Sequence, residues 1–342
     1  MNVEDRIQAL VKLGDFLAAK PPELETAVRK AYAENRWFIP KNSYAAVEAI
    51  QKEFLNEQAL REWVSHYDLS AVSPLAVGLI LAGNIPLVGF HDLLAVFMSG
   101  HIAKVKLSDK DSALMTLMIH TLAQINPQTK AYIRIVSRLE DFDAVIATGS
   151  DNTARYFETY FGKYPHIIRH NRNSVAVLTG QESRDTLRTL GKDIFSYFGL
   201  GCRNVSKLYV PQSYDFQPLL EELHTYNEII LNDKYKNNFD YAFTLYVMNK
   251  EFYMNNGCII LHEAESLASR ISTLHFGYYE DLDHLYAKLA QKENEIQCVV
   301  GANVPDFLPG VLFGQTQTPG LMDYADGVDV MDFLVNLGRE NS

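Results

Sequence analysis

Leu75-Ala-Val-Gly-Leu-Ile-Leu-Ala-Gly-Asn-Ile-Pro86 decides the fold. Up to Leu81 the stretch is apolar at every position instead of alternating with polar residues. A strand of that kind has both faces covered, as in the middle of a parallel sheet under helices. Ala82-Gly-Asn-Ile-Pro86 then stops it in a turn. Downstream, a helical segment through Leu94–Met98 leads to a second strand over Ile102–Leu107 and a helix over Ser112–Ile125. Tyr132–Val136 and Ala144–Ala147 read as further strands, and Asp151–Phe161 as a helix. Strand Ser174–Leu178, helix Arg184–Phe198 and strand Lys207–Val210 continue the alternation. A helix around Asp281–Ala290 and a strand at Ile296–Val300 follow. Strands alternating with helices predict βαβ units with right-handed crossovers.

Upstream of this region, residues to about Tyr67 read as helices. Ile7, Leu10, Val11 and Leu17 share one helical face. Pro21-Pro22 interrupts the chain, a second helix runs through Ala27 and Ala31, and Asn42-Ser43 caps a third carrying Ala46, Ile50 and Phe54 inward. From Pro305 the chain is rich in Gly and Pro and ends in a short amphipathic piece, Val328–Leu337.

The chain has 342 residues, a length that suits about two domains. Its formal charge of −11 would repel a phosphate backbone, which argues against a nucleic-acid partner. Cys202, Cys258 and Cys298 are far apart, with no CxxC pair or Cys/His cluster. Neither a disulfide framework nor a metal site is expected, and a reducing cytoplasm suits the thiols. The start, MNVEDRIQAL, does not read as a secretory signal, and no apolar run approaches a membrane span.

Four segments carry chemistry. Phe198-Gly-Leu-Gly-Cys202-Arg-Asn-Val-Ser-Lys-Leu-Tyr-Val210 places a thiol in a turn with two glycines, between a helix and a strand. Glycines let the backbone approach a ligand closely, and Arg203 or Lys207 is a cation that could favour the thiolate. Asn84, just past a buried strand, can donate an amide N–H to an oxyanion, or simply cap the turn before Pro86. Thr148-Gly-Ser150 joins a strand to a helix N-terminus, which suits a pyrophosphate. Lys104-Val-Lys106-Leu-Ser108-Asp109 closes the second strand, where a Lys can reach a ribose or phosphate, or form a solvated charge cluster. No GxGxxG fingerprint occurs.

In this order, the segments resemble the aldehyde-dehydrogenase superfamily from about Pro74 onward. Its Asn-x-Pro, Lys-Pro-Ser-Glu, Thr-Gly-Ser and Gly-rich Cys signatures read here as Asn84-Ile-Pro86, Lys106-Leu-Ser-Asp109, Thr148-Gly-Ser150 and Gly199-Leu-Gly-Cys202. Within it the chain is most similar to the LuxC-like fatty acyl-CoA reductases of bacterial luminescence. The Glu-Leu-Gly-Gly base of hydrolytic members is replaced by Ile168-Arg-His-Asn171, and Ile296-Gln-Cys-Val-Val300, Phe313-Gly-Gln-Thr-Gln317 and Tyr324-Ala-Asp-Gly-Val-Asp329 also resemble this branch.

The resemblance implies an α/β, aldehyde-dehydrogenase-like fold: two doubly wound Rossmann-type domains with an N-terminal helical region. The expected division is a helical region over 1–70, a cofactor domain over 71–168, a catalytic domain over 169–305 and a C-terminal segment over 306–342. It also implies an acyl-CoA reductase that converts a long-chain acyl thioester to an aldehyde through an acyl-cysteine. Cys202 is then the nucleophile, and the Asn84 side chain joins the Cys202 N–H in the oxyanion hole. Lys106 and Ser108 hold the adenosine ribose, Thr148, Gly149 and Ser150 the pyrophosphate, and Glu263 the nicotinamide ribose. His91, close after Asn84, is either near the thioester or structural, and His262 is a surface or packing residue. The branch implies NADPH. Leu107 and Asp109 depart from the Lys-Pro-Ser-Glu pattern and leave NADH open. A homo-oligomer and an acyl-transferring partner protein also follow from the branch. Three readings compete: a reductase for another activated acyl group, such as an acyl phosphate, a non-catalytic binding subunit of the same fold, and a plain Rossmann dehydrogenase without covalent chemistry.

Overall fold

The computed structural model describes residues 1–70, 72–149 and 151–340. The chain forms two compact units, residues 1–171 with 319–342, and residues 172–318.

The first unit opens with helices α1 (Val3–Ala18), α2 (Pro22–Glu34), α3 (Pro40–Glu53) and α4 (Glu57–Ser65). Asn2 starts α1 with a capping box to Asp5. Prolines start the next two helices, since Pro at the first position lacks only an N–H that would have no helical partner. The third helix therefore begins at Pro40, not at an Asn42-Ser43 cap. Ser43 falls inside its first turn, buried, with its hydroxyl donating to Phe38 O.

There follow β1 (Ala76–Ile80), α5 (Phe90–Ser99), β2 (Ile102–Lys106), α6 (Ser112–Ile125), β3 (Ile133–Ile135), β4 (Ala144–Thr148), α7 (Asp151–Phe161) and β5 (His166–Arg169). The five strands form one sheet in the order β3-β2-β1-β4-β5, and every pairing is parallel. β1 is central, with Val77 and Leu79 fully buried, as its unbroken apolar run requires.

The second unit contains β6 (Asn173–Val177), α8 (Arg184–Phe195), β7 (Val205–Pro211), α9 (Phe216–His224), α10 (Asp233–Asn249), β8 (Met254–Asn255), β9 (Ile260–Glu263), β10 (Thr273–Tyr279), α11 (Leu282–Ala290), β11 (Ile296–Val300) and β12 (Gly310–Val311). Its sheet runs β12-β11-β6-β7-β10-β9-β8, parallel except for the β8–β9 edge. Two α/β units with parallel sheets match the fold class that the resemblance implies.

The chain then returns to the first unit as α12 (Val330–Glu340), which packs on α5. A hydrogen-bond chain, buried at its Trp63 end, fixes this return. Trp63 Nε1 donates to Tyr324 Oη at 2.6 Å, Tyr324 Oη lies 2.6 Å from Tyr67 Oη, and Tyr67 donates to Asp329 at 2.7 Å. His91 stands against the rings of Phe54, Trp63 and Tyr324, and its Nε2 is 2.9 Å from Leu321 O. Burial lowers its pKa and favours the neutral ring. Its contacts are those of a packing residue.

Candidate active site

In the first unit, three of the four expected segments leave the same sheet edge. Ile80 at the end of β1 pairs with Lys106 on one side and Ala147 on the other. Leu81 N donates to Lys106 O at 3.3 Å. The turns carrying Asn84, Lys106–Ser108 and Thr148-Gly149 thus emerge side by side, neighbouring strands being about 4.8 Å apart. Strand order reverses between β1 and β4. In open parallel sheets, the crevice outside the carboxyl ends at such a reversal is where ligands bind.

The two lysines of Lys104-Val-Lys106 separate in role. Lys104 Nζ donates to Glu140 O and Asp141 O at 2.8 and 2.6 Å, pinning the loop before β4. Lys106 is exposed at the carboxyl edge, as is Asn84 on its turn, while Ser108 is half-buried. Gly83 lies so close to Ser108 that an added Cβ would fall 2.8 Å from the Ser108 Cβ. An added Cβ at Gly149 would meet Thr153 and Phe157 of α7 at 3.0 Å. Both glycines permit close approach of strand, turn and helix, and this cradle with an exposed Lys and a Ser fits a dinucleotide. Ser150 lies outside the described residues. Gly83→Ala should displace Ser108; with Ser108 in the cofactor-binding role proposed below, dinucleotide binding should weaken about tenfold, a shift of roughly 1.4 kcal/mol. A cofactor titration followed by fluorescence checks it.

Arg169, at the end of β5, is buried and ion-paired with Asp92 in the first turn of α5. A cation on β5 therefore stands in the segment that replaces Glu-Leu-Gly-Gly.

In the second unit, α8 stops at Phe195 and does not continue to Phe198. Tyr197 and Phe198 adopt left-handed backbone angles (φ 52° and 61°), followed by Gly199 at φ 74°. A bulky residue pays about 1–2 kcal/mol for that conformation. Here both aromatic side chains are buried, which returns about 2–3 kcal/mol each. Burial also pushes the Tyr197 phenol up to about 12.

Asn204, 3% exposed, fastens the turn. Its Oδ1 accepts from Gly201 N at 2.8 Å, and its Nδ2 donates to Asp193 O at 3.1 Å and Ser196 O at 2.9 Å. The Asp193 carboxylate, wholly buried, accepts from Gly314 N, Thr316 N and Thr316 Oγ1. Burial raises its pKa and those three donors oppose the rise. Arg203 Nε donates to Thr316 O at 2.8 Å. The segment Phe313–Gln317 is thereby tied to the turn that holds Cys202. Neither Asn204 nor Asp193 carries a sequence signal beyond standing near the Cys.

The Ser174 hydroxyl donates to Cys202 O at 2.9 Å and lies 3.0 Å from Cys298 Sγ. Burial pushes the Cys298 and Cys258 thiols up to about 11 each. Both are buried, whereas Cys202 is partly exposed. Lys207 does not serve Cys202. Its Nζ donates to Ala264 O and Glu265 O at 2.7 and 2.9 Å above the Tyr209 ring, and burial brings its pKa down to about 8.

Glu263 is not brought to Cys202. It closes β9, level with Phe276 on β10, and that residue is level with Leu208 on β7. Cys202 instead precedes the first residue of β7, two strands away. Glu263 lines a groove of about 760 Å³ with Lys207, Tyr209, Glu251 and Lys288. Among the described residues, no group of three or more His, Cys, Asp or Glu could hold a metal ion, and no helix is long and apolar enough to cross a membrane.

Solved structures define the class. Aldehyde dehydrogenase 21 from Physcomitrella patens superposes with a TM-score of 0.71 at 13% identity, over 99% of this chain and 85% of its own. A 1-pyrroline-5-carboxylate dehydrogenase from Thermus, solved with bound NAD, gives 0.65 at 13% identity over 99% and 80%. A putative aldehyde dehydrogenase from Burkholderia cenocepacia gives 0.66 at 15% over 84% and 72%. The fold is that of the aldehyde dehydrogenases. The family model for acyl-CoA reductase (LuxC) matches residues 15–229, and the chain belongs to that family. Family and fold together make it an oxidoreductase of acyl or aldehyde groups. No curated protein sequence matches the chain.

Proposed function

We propose that the protein reduces a long-chain acyl thioester to an aldehyde through an acyl group carried on Cys202, with NADPH as the favoured cofactor and NADH as the alternative. The observation that carries this reading is the state of the thiols. Cys202 is the partly exposed one, in a strained turn held by Asn204, while Cys258 and Cys298 are buried and protonated.

In this reading the Cys202 thiolate attacks the thioester carbonyl carbon. A C–S bond forms, negative charge moves to the carbonyl oxygen, and the carrier thiol leaves with its sulfur. The Cys202 N–H stabilises the oxyanion, one such donor being worth roughly 3 kcal/mol of barrier, and the family resemblance assigns the second donor to the Asn84 side chain. Lys106 and Ser108 hold the adenosine ribose, and Thr148, Gly149 and Ser150 the pyrophosphate. The nicotinamide, when bound, supplies the hydride. Collapse of the resulting thiohemiacetal breaks the bond to Cys202 and releases the aldehyde. The buried Arg169–Asp92 pair supports a thiol, and not water, as the acyl acceptor, since the segment that replaces Glu-Leu-Gly-Gly presents no free carboxylate.

Intact-mass measurement after adding a long-chain acyl-CoA without reduced cofactor tests the proposal. A stable adduct mapped to Cys202 is expected; an adduct with acyl phosphate alone would shift the substrate class. Asn84→Ala should lower turnover about 100-fold and leave substrate affinity nearly unchanged. Steady-state kinetics checks this, and an unaltered turnover number would remove Asn84 from the oxyanion hole.

A further inference from the structure

The turn after β1 contains a residue that its own sequence does not explain. Leu87 has φ 58°, a left-handed backbone in a side chain with no local hydrogen-bonding capacity. Its N–H donates to Asp111 Oδ2 at 2.7 Å.

Asp111 sits at the cap position of α6 and makes no side-chain cap bond to that helix. Its carboxylate reaches across to the neighbouring turn instead. It is 4% exposed, and Oδ1 has no hydrogen-bond partner. Its backbone N–H meanwhile donates to Ser108 O at 3.1 Å. One residue therefore ties the turn after β2 by its backbone and the turn after β1 by its side chain. The same two turns touch again where Gly83 packs on Ser108. From the other side, Asn35 Nδ2 donates to Lys110 O at 3.3 Å. Burying a carboxyl group with one oxygen unsatisfied is costly, and packing alone would be served better by an apolar side chain.

We propose that Asp111 is a positioning residue that locks the Asn84 turn to the Lys106–Ser108 turn, so that the oxyanion donor and the dinucleotide-binding groups form one rigid body. The assignment rests on the roles given above to Asn84, Lys106 and Ser108. Asp111 touches neither substrate nor cofactor and acts through Leu87 N and Ser108 O.

The test compares Asp111→Ala and Asp111→Asn in the full chain. Hydrogen exchange is read over residues 82–90 and 106–112, and acyl-CoA kinetics over the same preparations. In Asp111→Ala, exchange in both segments should quicken about tenfold, with turnover falling by a similar factor and KM for acyl-CoA little changed. Residues 196–204 should exchange as in the parent. In Asp111→Asn the amide oxygen still accepts the Leu87 N–H, so both readouts should recover. Unchanged exchange over 82–90 in the alanine variant overturns the proposal. So does quickened exchange with full turnover, or a folded asparagine variant that fails to recover. If the parent itself forms no acyl-enzyme, the functional reading falls, and the exchange result still decides whether Asp111 joins the two turns.

Discussion

Cys202→Ser should form no acyl-enzyme and lose thioester reduction by at least about 10⁴-fold, a loss typical of removing a covalent nucleophile. The reason is the state of the sulfur. A thiol supplies a few per cent of nucleophilic anion at neutral pH, while a serine hydroxyl supplies essentially none without an adjacent base. Among the contacts of the Cys202 turn are an amide, a guanidinium and a serine hydroxyl, and none of these is a general base for a serine. The other two thiols cannot take over, because both are buried and held protonated up to about 11. Dinucleotide affinity should be unaltered, since the proposed cradle lies at the edge of the β1–β5 sheet. Intact mass after acyl-CoA addition and a cofactor titration on the same sample give both results. An adduct in the serine variant that maps to a residue other than position 202 would move the nucleophile elsewhere. Stoichiometric labelling of the parent Cys202 by a thiol reagent, blocked by substrate, would argue against a non-catalytic binding subunit.

How much of this was legible depends on whether a feature is written in local pattern. β1 announced itself because burial on both faces demands apolar residues throughout. Thr148-Gly149 and Lys106–Ser108 were legible because each ends a strand in its own short phrase. The end of α8 was not. Nothing in Ser196-Tyr-Phe198 encodes left-handed backbone, and bonds to Asn204 together with burial of two aromatic rings hold it. α10 escaped for a different reason. It buries Tyr235, Ala242 and Tyr246, with Phe239 and Phe243 packed on the same side, but Tyr241, Val247 and Met248 are exposed apolar residues that blur the period. Asp111 reads as one more charge in a polar run, and only the fold turns its carboxylate inward. Glu263 followed the family phrase, but strand order places it away from Cys202.

Asn204→Ala should cost roughly 3 kcal/mol of stability and slow acylation of Cys202 by one to two orders of magnitude. Truncation leaves the Gly201 N–H and the Asp193 and Ser196 carbonyls without their partner in a buried site. Each orphaned group costs about 1–3 kcal/mol, and water entering the space left by the side chain recovers part of the sum. The released turn would allow Tyr197 and Phe198 to relax from their left-handed angles, which shifts the Cys202 N–H away from the carbonyl it is proposed to bind. Asn204→Asp separates the two halves of the network. Its carboxylate still accepts the Gly201 N–H but faces the carbonyl oxygens of Asp193 and Ser196, so at neutral pH it should destabilise more than alanine. Acidification should partly restore it, because protonation returns a donor and the folded-state pKa must lie above that of the unfolded chain. Denaturant unfolding at two pH values, with acylation followed by mass, checks both variants. If the alanine variant melted and acylated like the parent, the buried aromatic rings alone would be holding the turn.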